Sequence, residues 1–80
     1  MPTVFRIGPY RFYFYSHEPN EPPHVHIDRG TLSMKAWLDP VALAVNHGFR
    51  GHEINGILND VEANRDALLE AWHEYFGTNK

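Results

Sequence analysis

The chain has 80 residues, a net charge of −3 with histidine counted as neutral, and no cysteine. A domain of this length buries little more than about 60% of the surface that its unfolded chain exposes, so its stability margin is small and disulfides cannot widen it. The charge excludes a strongly basic nucleic-acid binder, although protonation of the six histidines would reverse its sign.

Composition changes once along the chain, from aromatic and β-branched residues to helix formers. We therefore expect a single domain over residues 1–80, with a sheet over 1–47 and a helical segment over 50–77. No run approaches the roughly 20 apolar residues of a membrane helix, and the first residues lack the basic and apolar segments of a signal peptide. The expected location is the cytoplasm.

The first predicted hairpin joins residues 3–7 to residues 10–16 through Gly8-Pro9. Glycine at the first loop position and the fixed φ of proline at the second suit a two-residue type II′ turn. The resulting register pairs Ile7 with Tyr10, Phe5 with Phe12 and Thr3 with Phe14, all on one face.

A second hairpin is predicted after residues 17–23, a stiff loop that contains three prolines. Residues 24–28 and 31–38 alternate in polarity around a turn at Arg29-Gly30, with Asp28 paired to Thr31. This register places Val25, Ile27, Leu32 and Met34 on one face, and His24, His26, Ser33 and Lys35 on the other. Residues 41–45 predict a further strand that ends at residues 46–48.

From Gly51 the apolar residues follow a helical period, on a stripe that includes Ile57, Val61, Leu68 and Trp72. One long helix and two short helices both fit, and Asn64 is a candidate cap for a second helix. The sequence thus predicts an α+β fold. Its antiparallel sheet has four or five strands built from two hairpins, and the helical segment covers one face.

His24 and His26 are the candidate catalytic residues, because side chains at positions i and i+2 of a strand point the same way. Two imidazoles can serve as base and acid, or can bind a metal with a third ligand. His17, Glu18 and Asp28 are the nearest third ligands, but none has a diagnostic spacing, so we assign no metal site and expect no cofactor. Hydrogen bonding on a half-buried face is the ordinary alternative.

A predicted cationic and aromatic face lies opposite the apolar one. Such residues can hold phosphates and stack bases, can anchor a protein interface, or can form ordinary solvated sheet surface. We favour a protein interface over RNA. The expected binding residues are Arg6, Arg11, Tyr13, Tyr15, His17 and Lys35, beside His24 and His26.

Four segments together resemble a small bacterial family described as domain of unknown function 4160. They are the opening Met-Pro-Thr-Val-Phe-Arg-Ile-Gly, the aromatic run at 11–16, Pro-Pro-His-Val-His-Ile at 22–27, and residues 64–72. The family's Pro-Pro-His-x-His pattern corresponds to Pro22, Pro23, His24 and His26. The resemblance implies an association with toxin–antitoxin pairs and supplies no catalytic role for these positions.

The leading hypothesis is a small cytoplasmic protein of a toxin–antitoxin-like pair that binds a cognate small protein. A metal-independent ribonuclease is the alternative, with His24 and His26 as acid and base and with Arg11 holding the phosphate. A histidine-ligated metal protein is a third reading. RNA as a partner and a homo-oligomer both stay open, and no membrane partner is expected.

Overall fold

A computed structural model describes residues 3–14 and 21–76, with the backbone alone described at positions 3–5. Within these ranges the chain forms five strands followed by two helices. The expected positions Tyr15 and His17 lie outside the described residues. None of the described helices has the length and apolar character needed to cross a membrane. The elements are β1 (Thr3–Ile7), β2 (Tyr10–Tyr13), β3 (His24–Arg29), β4 (Leu32–Leu38), β5 (Val41–His47), α1 (Gly51–Ala63) and α2 (Arg65–Phe76).

The strands form one antiparallel sheet in the order β1-β2-β3-β4-β5. Each strand pairs with its neighbour in the sequence, and the pairing of β2 with β3 joins the two predicted hairpins in one sheet. The predicted α+β class is confirmed, and the strand number is five.

The first hairpin has the predicted register only near its turn. Gly8 has a φ of +56°, and Ile7 pairs with Tyr10 and Phe5 with Phe12 as expected. An irregularity between Thr3 and Phe5 then advances two residues of β1 against one of β2, so that Thr3 pairs with Tyr13. The predicted pair of Thr3 with Phe14 is wrong because of this bulge.

The second hairpin turns one residue later than predicted. Its loop is Gly30-Thr31, with Gly30 at a φ of +63°, and Arg29 pairs with Leu32. The predicted pair of Asp28 with Thr31 is wrong because the turn requires glycine, which tolerates a positive φ, at its first loop position. The difference leaves the alternation unchanged, so Val25, Ile27 and Met34 are buried as predicted.

The fifth strand reaches His47, two residues beyond the predicted segment. The connection to α1 is closed by Asn46, whose side-chain amide donates to the Phe49 carbonyl and whose side-chain oxygen accepts from the Phe49 N–H, both at 3.0 Å. Gly48 in this connection has a φ of +109°. A Cβ placed there would lie 2.6 Å from Cδ2 of Leu32.

Two helices, not one, cover the apolar side of the sheet, with α1 packed on β4 and β5 and α2 packed on β4 and α1. Asn64 separates them. Its carbonyl accepts from the Leu68 N–H at 2.9 Å, as an N-cap does, but its side-chain amide donates back to the Asp60 carbonyl at 2.8 Å. The side-chain cap expected for the second helix is therefore not made. The buried core comprises Phe12, Phe14, Val25, Ile27, Met34, Ala36, Leu38, Phe49, Ile57, Val61, Leu68 and Trp72.

A carboxylate on α1 ties the helical layer to two strands. Glu53 accepts two hydrogen bonds from the Arg29 guanidinium, at 2.7 and 2.9 Å, and one from the Tyr10 hydroxyl at 2.7 Å. These donors, Arg29 first and Tyr10 second, hold the pKa of Glu53 below its ordinary value. At the other end of α1, Arg65 donates to the Leu38 carbonyl and to Asp39.

We predict opposite effects of alanine at two glycines. Gly48→Ala should lower the free energy of unfolding by more than about 1 kcal/mol, because alanine is strained at this positive φ and meets Leu32. Gly56→Ala should raise it by about 0.5–1 kcal/mol, because position 56 is helical and a Cβ there meets nothing within 4 Å. Urea denaturation measures both, and equal effects at the two positions would contradict this account of residue 48.

We also predict that Glu53→Gln lowers stability at neutral pH and loses this effect in acid. A carboxylate whose folded-state pKa is depressed stabilises the fold fully above its unfolded pKa, near 4.5, and this contribution is lost as the pH falls through the lower folded-state pKa. Melting temperatures of the two proteins between pH 7 and pH 3 should therefore converge. Glu70→Gln, at an exposed position of α2, is the matched control. A gap for Glu53→Gln that stays constant with pH would refute the prediction.

Candidate functional site

The side of the sheet opposite the helices, here called the open face, carries two rows of side chains that cross four strands. In the first row Tyr13 pairs with His26, His26 with Lys35, and Lys35 with Val45. The second row runs parallel to it through Arg11, Asp28, Ser33 and His47. The antiparallel register thus brings together polar residues that lie up to 36 positions apart in the chain.

Stacked rings hold one end of these rows. The Tyr13 and His26 rings stack with centroids 5.4 Å apart, and the Arg11 guanidinium lies 4.5 Å from the centroid of the Tyr13 ring. The Tyr13 hydroxyl donates to Asp28 at 2.9 Å. Tyr13 is only 3% exposed, so its ring offers little surface to a partner. Its ring is covered because the cation and the imidazole pack on it.

The two cations of the rows each have a carboxylate nearby. Nη1 of Arg11 lies 3.9 Å from Asp28, and Nζ of Lys35 donates to Glu21 at 2.5 Å. The Lys35 ammonium also lies 4.8 Å from the centroid of the Trp37 ring. A free phosphate would have to compete with these carboxylates, which disfavours the open face as a nucleic-acid surface.

A cavity of about 220 Å³ opens on this face over β3, β4 and β5. It is open to solvent, and its polar side chains are donors or groups that can become cationic. Among the lining residues that the structure describes, none carries a carboxylate. These residues are Tyr13, His26, Ser33, Met34, Lys35, Val45 and His47.

The candidate catalytic pair is adjacent but unequally accessible. The His24 and His26 rings lie 5.2 Å apart, and His26 is half-buried. His24 is completely buried, with its ring 4.9 Å from that of Trp72 on α2. Its Nδ1 donates to the Pro22 carbonyl at 3.0 Å. His24 is therefore inaccessible to a substrate in this structure, because Trp72 packs against the first residue of β3.

The other expected residues are only partly brought together. Lys35 and His26 line the cavity, Arg11 lies at one end of the rows, and Arg6 is exposed on β1, paired in register with Arg11. Over residues 3–14 and 21–76, no group of three or more histidine, cysteine or acidic side chains is placed to hold a metal ion.

Sequence reasoning missed Val45 and His47, both contributed by β5. The sequence predicted a strand here but not which face of the sheet Val45 and His47 would occupy. That face depends on an irregularity between Lys35 and Ala36, which shifts the pairing of β4 with β5.

We predict that the two histidines contribute differently to stability. His24→Ala should lower the free energy of unfolding by about 2 kcal/mol, because it empties a buried site beside Trp72. His26→Ala should cost about 1 kcal/mol, mainly from its stack on Tyr13. Urea denaturation at neutral pH compares them, and equal small losses would show that His24 is not packed as described.

The comparisons with known proteins give one match. The model of the family described as domain of unknown function (DUF4160) matches residues 10–73, which span β2 to α2 and all of the cavity. No curated protein and no solved structure matches the chain. Because the matched segment covers most of the chain, this protein belongs to the DUF4160 family.

Proposed function

We propose that the chain is one member of a toxin–antitoxin-like pair of small cytoplasmic bacterial proteins and acts by binding its cognate protein through the open face. The observation that carries this proposal is the cavity between the two cross-strand rows, lined by donors and by the exposed Val45. The family resemblance supports the assignment to such a pair, whereas the geometry of the sheet supports the choice of the open face as the binding surface.

Charge pairing favours a protein over RNA as the partner. Arg11 and Lys35 both lie beside carboxylates of the chain itself, and the net charge is −3. RNA would be repelled by these carboxylates, whereas a protein surface can match cations and carboxylates with its own charges.

A ribonuclease activity is the second candidate, because the His24 and His26 rings are neighbours. Complete burial of His24 weighs against it as a group that meets a substrate. If the protein is a ribonuclease, His26 is the histidine that would serve as the acid or base, because it lines the cavity.

We predict that Lys35→Ala weakens the cognate complex about tenfold, which corresponds to about 1.4 kcal/mol. The partner is captured with the full chain from its native cells, identified, and titrated by calorimetry. Arg50→Ala is the matched control, since Arg50 is exposed at the start of α1 and outside the cavity. Circular dichroism checks that both variants fold.

Unchanged affinity for Lys35→Ala would refute the open face as the binding surface. Growth arrest by the chain alone, with RNA cleavage by the purified protein that His26→Ala abolishes, would support the ribonuclease instead.

A further inference from the structure

β5 is an edge strand of the sheet, and its exposed edge carries no charge. Its seven residues, Val41–His47, contain no proline, acid, lysine or arginine. Leu43 and Val45 are 39% and 41% exposed, and they are two of the three large hydrophobic side chains most exposed in the described residues. Natural edges usually carry charges or prolines that block further pairing, so an edge of this composition is suited to accept another strand.

The opposite edge differs in this respect. β1 carries the exposed Arg6 and a bulge between Thr3 and Phe5. Both features discourage the addition of a strand. Strand pairing beyond the sheet is therefore favoured at β5 alone.

The uncharged edge is continuous with the cavity of the open face, because Val45 and His47 of β5 form one of its walls. An added strand would place a side chain next to Val45 in the first cross-strand row. That position is two strand spacings from Lys35, about 10 Å, a gap that two long side chains can span together. The hydrogen bond that Lys35 donates to Glu21 shows that its ammonium can pair with a carboxylate.

We propose that an extended segment of the partner protein pairs with β5 as a sixth strand, and that a glutamate or aspartate of this segment places its carboxylate in the cavity. There it meets Lys35 and His47 and competes with Glu21 for the Lys35 ammonium. The inference rests on the proposed function and names the part of the partner that is recognised. Backbone pairing supplies the affinity, and the carboxylate supplies the specificity.

A second copy of the chain is the other occupant of such an edge. It does not complete the cavity by β5 pairing, since β5 has no acidic residue to offer. Charge complementarity therefore favours a partner segment over self-association.

The test uses the full chain, labelled with ¹⁵N, and two acetylated and amidated peptides, TVTEVT and TVTQVT. We expect amide shift changes concentrated at residues 41–47, and binding of the glutamate peptide about three- to fivefold tighter than that of the glutamine peptide. Lys35→Gln should abolish this preference while leaving the binding of both peptides. Leu43→Lys, at an exposed position, should weaken both peptides equally.

Three outcomes overturn the inference. The first is the absence of amide shift changes at β5 with about 5 mM peptide, a concentration that detects complexes with a Kd near 1 mM. The second is equal affinity for the two peptides. The third is a set of shift changes at β5 that depend on protein concentration alone, which would indicate a dimer. The cognate complex distinguishes a failure of this inference from a failure of the proposed function. If Lys35→Ala disrupts that complex and Leu43→Lys does not, the open face is the binding surface, but strand pairing at β5 is wrong.

Discussion

Burial of one side of the sheet beneath the two helices is the constraint on which the rest of the structure depends. A chain of 80 residues without cysteine has few other sources of stability. Trp72 is central to this layer, because its ring lies 5.4 Å from Phe14, 4.9 Å from His24 and 4.2 Å from Phe76. The Arg29–Glu53–Tyr10 contacts fasten the other helix to the strands. The helices cover one side of the sheet, and the open face is the other side.

The open face is built from cross-strand neighbours, so its chemistry depends on register. Tyr13, His26, Lys35 and Val45 belong to four different strands and form one row only because each strand pairs with the next in its observed register. A slip of any one of these strands by one residue would turn its side chain in the row toward the core. The turns at Gly8 and Gly30 and the bulge before Ala36 set this register, so they determine the candidate site although none of them lines the cavity.

The charge arrangement is the basis of the proposed recognition by this face. Both of its cations lie beside carboxylates of the same chain, so the surface is suited to exchange one carboxylate for another rather than to attract a polyanion. The two adjacent histidines have different roles, since one packs in the interior and the other is a candidate functional residue. His24 is enclosed beside Trp72, whereas His26 stacks on Tyr13 and lines the cavity. Their sequence spacing alone could not distinguish these roles.

The sequence by itself determined the α+β class, the apolar faces of β2, β3 and β4, the helical stripe and the pair of histidines, because alternation and helical period are local properties of the chain. It left the number of helices open, placed one turn a residue early and missed the bulge that displaces Thr3. Only the tertiary structure decided that His24 is buried, that Tyr13 is covered, and that β5 contributes Val45 and His47 to a cavity. These facts arise from contacts between residues distant in the chain, such as His24 with Trp72, and no local pattern encodes them.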